Sequence, residues 1–147
     1  MAVRFQLVID CVDPTALAHF WAAALGYVPQ PPPDGFGTWS DYWRDVSVAD
    51  DELDDAVDSI VDPSGAGPRI WFQVVPEAKT VKNRLHLDVH VGGGRAQPLE
   101  VRRQRVDAEV RRLAGLGASV RAVLDVAGLD HYAVGMADPE GNEFDVN

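Results

Sequence analysis

A single cysteine stands in the whole chain of 147 residues, so no internal disulfide can form. Cys11 has no adjacent histidine in sequence to mark it as a nucleophile, and a packed, unreactive thiol is expected. No apolar run approaches the roughly 20 residues needed to span a bilayer. The amino terminus shows a strand pattern where a secretory leader would need a charged start and an apolar run. A cytoplasmic protein with no membrane partner is the expectation. Basic residues are scattered and outnumbered, with 13 Lys+Arg against 23 Asp+Glu, a net charge of −10. Such a chain repels phosphate backbones, which excludes nucleic acid as a partner class.

Two further motifs are incomplete. The acidic run Asp50, Asp51, Glu52, Asp54, Asp55, Asp58 and Asp62 lacks the glycine and the spaced final glutamate of a calcium loop. It reads as a solvated loop leading into a strand near Ser59. The Gly92-Gly93-Gly94 run lacks the spacing and the lysine of a phosphate loop, and reads as a flexible loop.

What is present is a well-patterned chain, 46% apolar, enough for one domain over residues 1–147 to fold without staples. Its organising stretch is Arg84 to Val91, RLHLDVHV. Alternation puts Leu85, Leu87 and Val89 on one strand face, and His86, Asp88 and His90 on the other. Val3 to Asp10 alternates likewise, with Phe5, Leu7 and Ile9 opposite Gln6, Val8 and Asp10. Gln6 and His86 are thus the metal-capable side chains at the centres of two like strands. That likeness suggests an internal duplication.

After the first strand, Asp13 and Pro14 form a helix start, Leu17, Phe20, Trp21, Ala24 and Leu25 recur at helical spacing, and Gly26 suits a left-handed C-cap. Tyr27 to Gln30 reads as a short strand and residues 31–35, PPPDG, as a turn. The aromatic segment Phe36 to Val46 is expected to return as a strand. Arg69 to Val75 is a strand with Ile70, Phe72 and Val74 opposite Trp71, Gln73 and Val75. A polar connector, Pro76 to Asn83, separates the halves. The second half repeats the order. Its helix runs from about Pro98 with Val106, Val110 and Leu113 as its apolar stripe and Arg102, Arg103, Arg105, Arg111 and Arg112 mostly facing water. Strands follow at Ala118 to Val126, His131 to Ala137 and Asn142 to Asn147. The predicted class is α+β, two βαβββ modules at about 1–76 and 84–147. Leu7, Ile9, Phe20, Trp21, Leu85, Leu87, Val110, Leu113 and Phe144 are the expected core.

Two βαβββ units, the turns Asp62-Pro63-Ser64-Gly65 and Asp138-Pro139-Glu140-Gly141, the strand-borne histidine in RLHLDV and the terminal GNEFDV together resemble the vicinal oxygen chelate superfamily, specifically its glyoxalase-like or bleomycin-resistance branch. The resemblance implies paired curved mixed sheets around a cup. It also implies metal ligands on the first and last strands of each unit. Carried over by position, these fall on Gln6, His86 and Glu143, with Trp71 in the fourth place. Tryptophan cannot ligate a cation, and Gln73 is the nearby substitute.

The chemistry implied has two forms. In one, a metal-dependent lyase, isomerase or dioxygenase uses zinc, nickel, manganese or iron held by Gln6, His86 and Glu143. Glu143 and His86 are then the catalytic groups, and Gln6, Trp71, Gln73 and Asp88 line the substrate pocket. In the other, a metal-free protein with no cofactor sequesters a planar or basic small molecule, as bleomycin-resistance proteins do. Asp88 can orient His86 or act as a base, but a salt bridge to Arg84 or Lys82 is its expected fate. Trp39, Tyr42, Trp43, Trp71 and Tyr132 form either an aromatic wall or ordinary core. His131 is expected at the surface or the cup rim. Open sheet edges, and the habit of family members to pair, imply a homodimer.

Overall fold

The carboxylate of Asp13 accepts from the Ala16 N–H at 3.0 Å, and Pro14 opens helix α1 (Pro14–Leu25), which Gly26 ends at φ 71°. The computed structural model to which this helix belongs describes residues 3–49 and 55–147. Around α1 lie β1 (Leu7–Cys11), β2 (Val28–Pro29), helix α2 (Trp39–Asp45), β3 (Ser59–Val61) and β4 (Ile70–Val74). The second half contains β5 (Asp88–Val89), α3 (Leu99–Gly115), β6 (Ser119–Leu124), β7 (Ala133–Ala137) and β8 (Glu143–Val146).

The strands form two four-stranded mixed sheets of identical order, β1-β4-β3-β2 and β5-β8-β7-β6. In each, the first strand lies parallel to the last and the remaining pairs are antiparallel. The α+β class expected from the sequence is the one found. One face of each sheet is apolar because alternation sends Leu7, Ile9, Ile70 and Phe72, and likewise Val89, Phe144 and Val146, towards the helices. Phe20 and Trp21 of α1 pack on Phe144 of β8, with ring centroids 6.3 and 5.1 Å apart, so the first half's helix shares a core with the second half's last strand.

That cross-packing is reinforced at both ends of α1. Glu140 accepts from the Val12 and Asp13 N–H groups at 2.8 and 2.7 Å, and Arg112 donates to the Ala23 and Ala24 carbonyls at 2.9 and 3.0 Å. An anion thus meets the amino end of the helix and a cation its carboxyl end, the signs the helix dipole favours. Cys11 is 2% exposed. Burial, then nearby carboxylates led by Glu140, pushes its thiol up to about 11. The thiol is packed, as expected, and the raised value keeps thiolate scarce at neutral pH.

Four expectations need correction. Residues 39–45 are a helix, not a strand: Thr38 caps it by accepting from the Asp41 N–H at 3.1 Å, and Trp39 stacks on Trp43 one turn away. Leu85 is 82% exposed rather than core. The register that sets Asp88 opposite Asp145 exhausts β8 at Glu143, so the chain before His86 has no ladder partner and the regular strand shrinks to Asp88–Val89. Arg102 is buried instead of facing water, because its guanidinium serves the Gln97 carbonyl and Asp130. Asp88 pairs with neither Arg84 nor Lys82 and instead faces His86. Of the acidic run, residues 50–54 lie outside the described residues. Among those described, no helix is long and apolar enough to cross a membrane.

Candidate functional site

A cavity of about 340 Å³ opens between β1 and the connector that precedes β5. Its floor is apolar, from Leu7, Ile9, Trp21 and Leu87, while His86 and Glu143 stand in its wall with Lys82 and Asn83. Asn83 contributes an acceptor, Oδ1, that is the buried side-chain polar atom without a partner among the described residues. An apolar floor with a few polar groups is the usual make-up of a small-molecule pocket.

His86 is the hinge of the site's chemistry. Its Nε2 lies 3.5 Å from Asp88 Oδ1, two residues further along the chain at the start of β5, and 3.5 Å from Asp145 Oδ2 on β8. Parallel pairing of β5 with β8 sets Asp88 directly beside Asp145 and carries His86 abreast of Glu143. The ligand-capable atoms of His86, Asp88 and Asp145 all lie within 4.8 Å of one another. Asp88 also accepts from Asn147 Nδ2 at 3.2 Å, but neither aspartate forms a salt bridge to lysine or arginine among the described residues. One imidazole beside two carboxylates left uncompensated by protein cations fits a divalent ion.

Glu143 is differently placed. Its Oε2 accepts from Lys82 Nζ at 2.6 Å and from the Asn83 N–H at 2.9 Å. These two donors hold its carboxyl below the usual carboxylate range. The ammonium partner is therefore engaged at ordinary pH and is released only as the pH falls through that lowered value. Replacing Lys82 with alanine should move the Glu143 titration, followed by carboxyl-carbon NMR, upward towards the ordinary range. An unmoved titration would mean that the backbone N–H alone sets it.

On the first sheet, Gln6 accepts from Arg69 Nη1 at 3.0 Å, and Arg69 also donates to Gln30 Oε1 at 2.5 Å and Ser59 Oγ at 2.6 Å. Trp71 donates through Nε1 to Asp58 at 3.2 Å. Trp71 and Gln73 line a separate cavity of about 580 Å³ with Trp39, Trp43, Asp58 and Arg69. Tyr132 is remote from that aromatic group, bonded to Asp107 at 2.7 Å with the Arg103 guanidinium over its ring.

Of the residues singled out from sequence, His86 and Glu143 share one cavity, Asp88 joins His86, and Gln6, Trp71 and Gln73 belong to the other half's surface. Asp145 is the member that sequence reasoning missed. The signal was available: in GNEFDV, Phe144 and Val146 take the core face, which leaves Asp145 on the same face as Glu143.

Residues 6–147 match the family model described as a glyoxalase-like domain. A search of curated proteins gives no match. Among solved structures, the chain is similar to a glyoxalase/bleomycin resistance protein/dioxygenase family enzyme from Burkholderia phytofirmans PsJN, at 17% identity over 97% of this chain and 94% of that one, TM-score 0.57. It is also similar to the fosfomycin resistance protein FosX of Listeria monocytogenes, solved with Mn(II) and 1S,2S-dihydroxypropylphosphonic acid, at 11% identity over 100% and 92%, TM-score 0.61. A hypothetical protein from S. aureus aligns at 16% identity over 99% and 93%, TM-score 0.59. At these identities the likeness is one of fold.

Proposed function

We propose, because the chain belongs to the glyoxalase-like domain family of the vicinal oxygen chelate superfamily, that it takes a small organic molecule into the cavity beside β1 and presents a divalent ion to that molecule from His86, Asp88 and Asp145. The observation that carries this reading is the double membership of His86, which lines the cavity and joins the carboxylate cluster. Zinc, nickel, manganese or iron would suit the donor set, and such an ion supplies Lewis-acid polarisation of a substrate oxygen. The protein's own part is to seat the apolar body of the ligand on Leu7, Ile9 and Trp21 and to exclude water there. Glu143, kept ionised by Lys82, then offers a carboxylate at the wall for accepting a proton. In a relative, Mn(II) accompanies a small oxygen-rich phosphonic acid, which supports this class of ligand.

The test is metal binding by calorimetry on protein purified without chelator. His86→Ala and Asp145→Asn should each weaken Mn(II) or Zn(II) binding by at least about tenfold, while Glu143→Ala changes it by less than about threefold. Weakening by His86→Ala and Glu143→Ala with binding unchanged in Asp145→Asn would return the ion to the Gln6, His86 and Glu143 set. No binding of zinc, nickel, manganese or iron would leave a second reading, metal-free sequestration.

Lys82 and Arg69 occupy oxygens of Glu143 and Gln6, which supports the His86, Asp88 and Asp145 set over the Gln6, His86 and Glu143 set. Pairing of two copies is part of either reading, since β6 is an outer strand with all six residues exposed.

A further inference from the structure

A third cavity, of about 370 Å³, lies where the chain leaves β5 and meets the end of β8. Its wall holds His90, Arg95, Arg102, His131, Tyr132 and the glycine run 92–94, with no aspartate or glutamate among its lining residues. In a chain of net charge −10, Arg102 of this hollow is paired with Asp130, and Arg95 is the lining cation left unpaired among the described residues.

The glycine run gives the arginines room. A β-carbon on Gly93 would overlap the Arg105 guanidinium, and one on Gly92 would sit 3.3 Å from the Arg102 side chain. Gly93 and Gly94 adopt φ of +86° and +79°, which side-chain-bearing residues rarely adopt. The loop is thus bare so that cations can close on it: Arg105 donates to the Gly92 carbonyl at 3.0 Å and Arg102 is buried beneath. Arg102 is oriented by the Gln97 carbonyl at 3.1 Å and neutralised by Asp130, a largely exposed carboxylate. Arg95 and His131 carry no hydrogen bond or ion pair among the described residues. His90 donates through Nδ1 to Asn147 Oδ1 at 2.5 Å, which makes Nε2 of the neutral ring an acceptor and leaves His90 outside the donor set.

The geometry points to a binding site for a phosphoryl oxyanion, either free phosphate or the phosphate of a small organic ester, gripped by Arg95 and His131 over the glycine run. Guanidinium and imidazole donors match the oxygens of such a group, and the cavity is large enough for an organic body on the Tyr132 side. The site shares no lining residue with the cavity beside β1, although Asn147 links the two places by accepting from His90 and donating to Asp88.

Calorimetry at constant ionic strength with inorganic phosphate and with phenyl phosphate tests it, since screening by added salt would otherwise mask the effect. Submillimolar binding of at least one is expected, on the order of Kd below about 1 mM. The double variant Arg95→Ala, His131→Ala should lose at least about tenfold in affinity, equivalent to about 1.4 kcal/mol. Arg69→Ala, in the other half, should leave it unchanged. Equal affinity for both probes assigns the site to the free anion, and phenyl phosphate bound at least about tenfold tighter assigns it to an organic phosphate. Absence of binding by both probes, or affinity retained in the double variant, overturns the proposal.

Discussion

Phe144→Ala lowers the unfolding free energy by about 3–5 kcal/mol, the usual cost of emptying an aromatic site in a packed core. The side chain is 1% exposed and is gripped between Phe20 and Trp21 of α1. It belongs to β8 in the second half but fills the space beneath the first half's helix, so the surroundings cannot collapse without separating the two sheets. Urea unfolding followed by tryptophan fluorescence should show the midpoint fall with little change in slope. Leu85→Ala is the control: an 82% exposed leucine should change stability by no more than about 0.5 kcal/mol. A loss below about 1.5 kcal/mol for Phe144→Ala would mean that α1 repacks on β8.

The halves of the fold were legible because each carries its own punctuation. Asp13, Pro14 and Gly26 bound α1, and the turns at Asp62 and Asp138 precede or follow strands whose alternation is clear. Where the chain was misread, local pattern conflicted with pairing. Trp39, Tyr42 and Trp43 are β-prone by type but helical by spacing, and the Thr38 cap decides for helix. Leu85 alternates correctly, yet alternation has no force where no neighbouring strand exists to pair. Arg102 looks solvated on a helix until Asp130 and the Gln97 carbonyl, distant in sequence or in a loop, supply its partners. The candidate site was half visible for the same reason. His86 and Asp88 follow from one strand's alternation, whereas Asp145 joins them only through the parallel register of β5 and β8. The oxygens of Gln6 and Glu143 are claimed by Arg69 and Lys82 in contacts spanning 63 and 61 residues, which no local pattern reports.

Asp138→Ala should cost at least about 3 kcal/mol, because it leaves several buried donors without an acceptor at once. The carboxylate is 3% exposed and divides its work by oxygen. Oδ1 accepts from the Glu140 and Asn142 N–H groups at 3.0 and 2.9 Å, and Oδ2 accepts from Trp21 Nε1 at 3.1 Å and Asn142 Nδ2 at 2.9 Å. The first pair shapes the turn that delivers Glu140 to the amino end of α1; the second ties that turn to the helix across 117 residues of sequence. Asp138→Asn separates the two functions. With its carbonyl on the Oδ1 side it keeps the turn, but its amide then faces two donors, so it should lose about half as much as the alanine variant. Trp21→Phe combined with Asp138→Asn should cost less than the sum of the single changes, since the Trp21 bond is already gone. Chemical denaturation of the four proteins measures each term. Strict additivity would show that the turn is held by its own backbone bonds, and that the indole contributes only its apolar face.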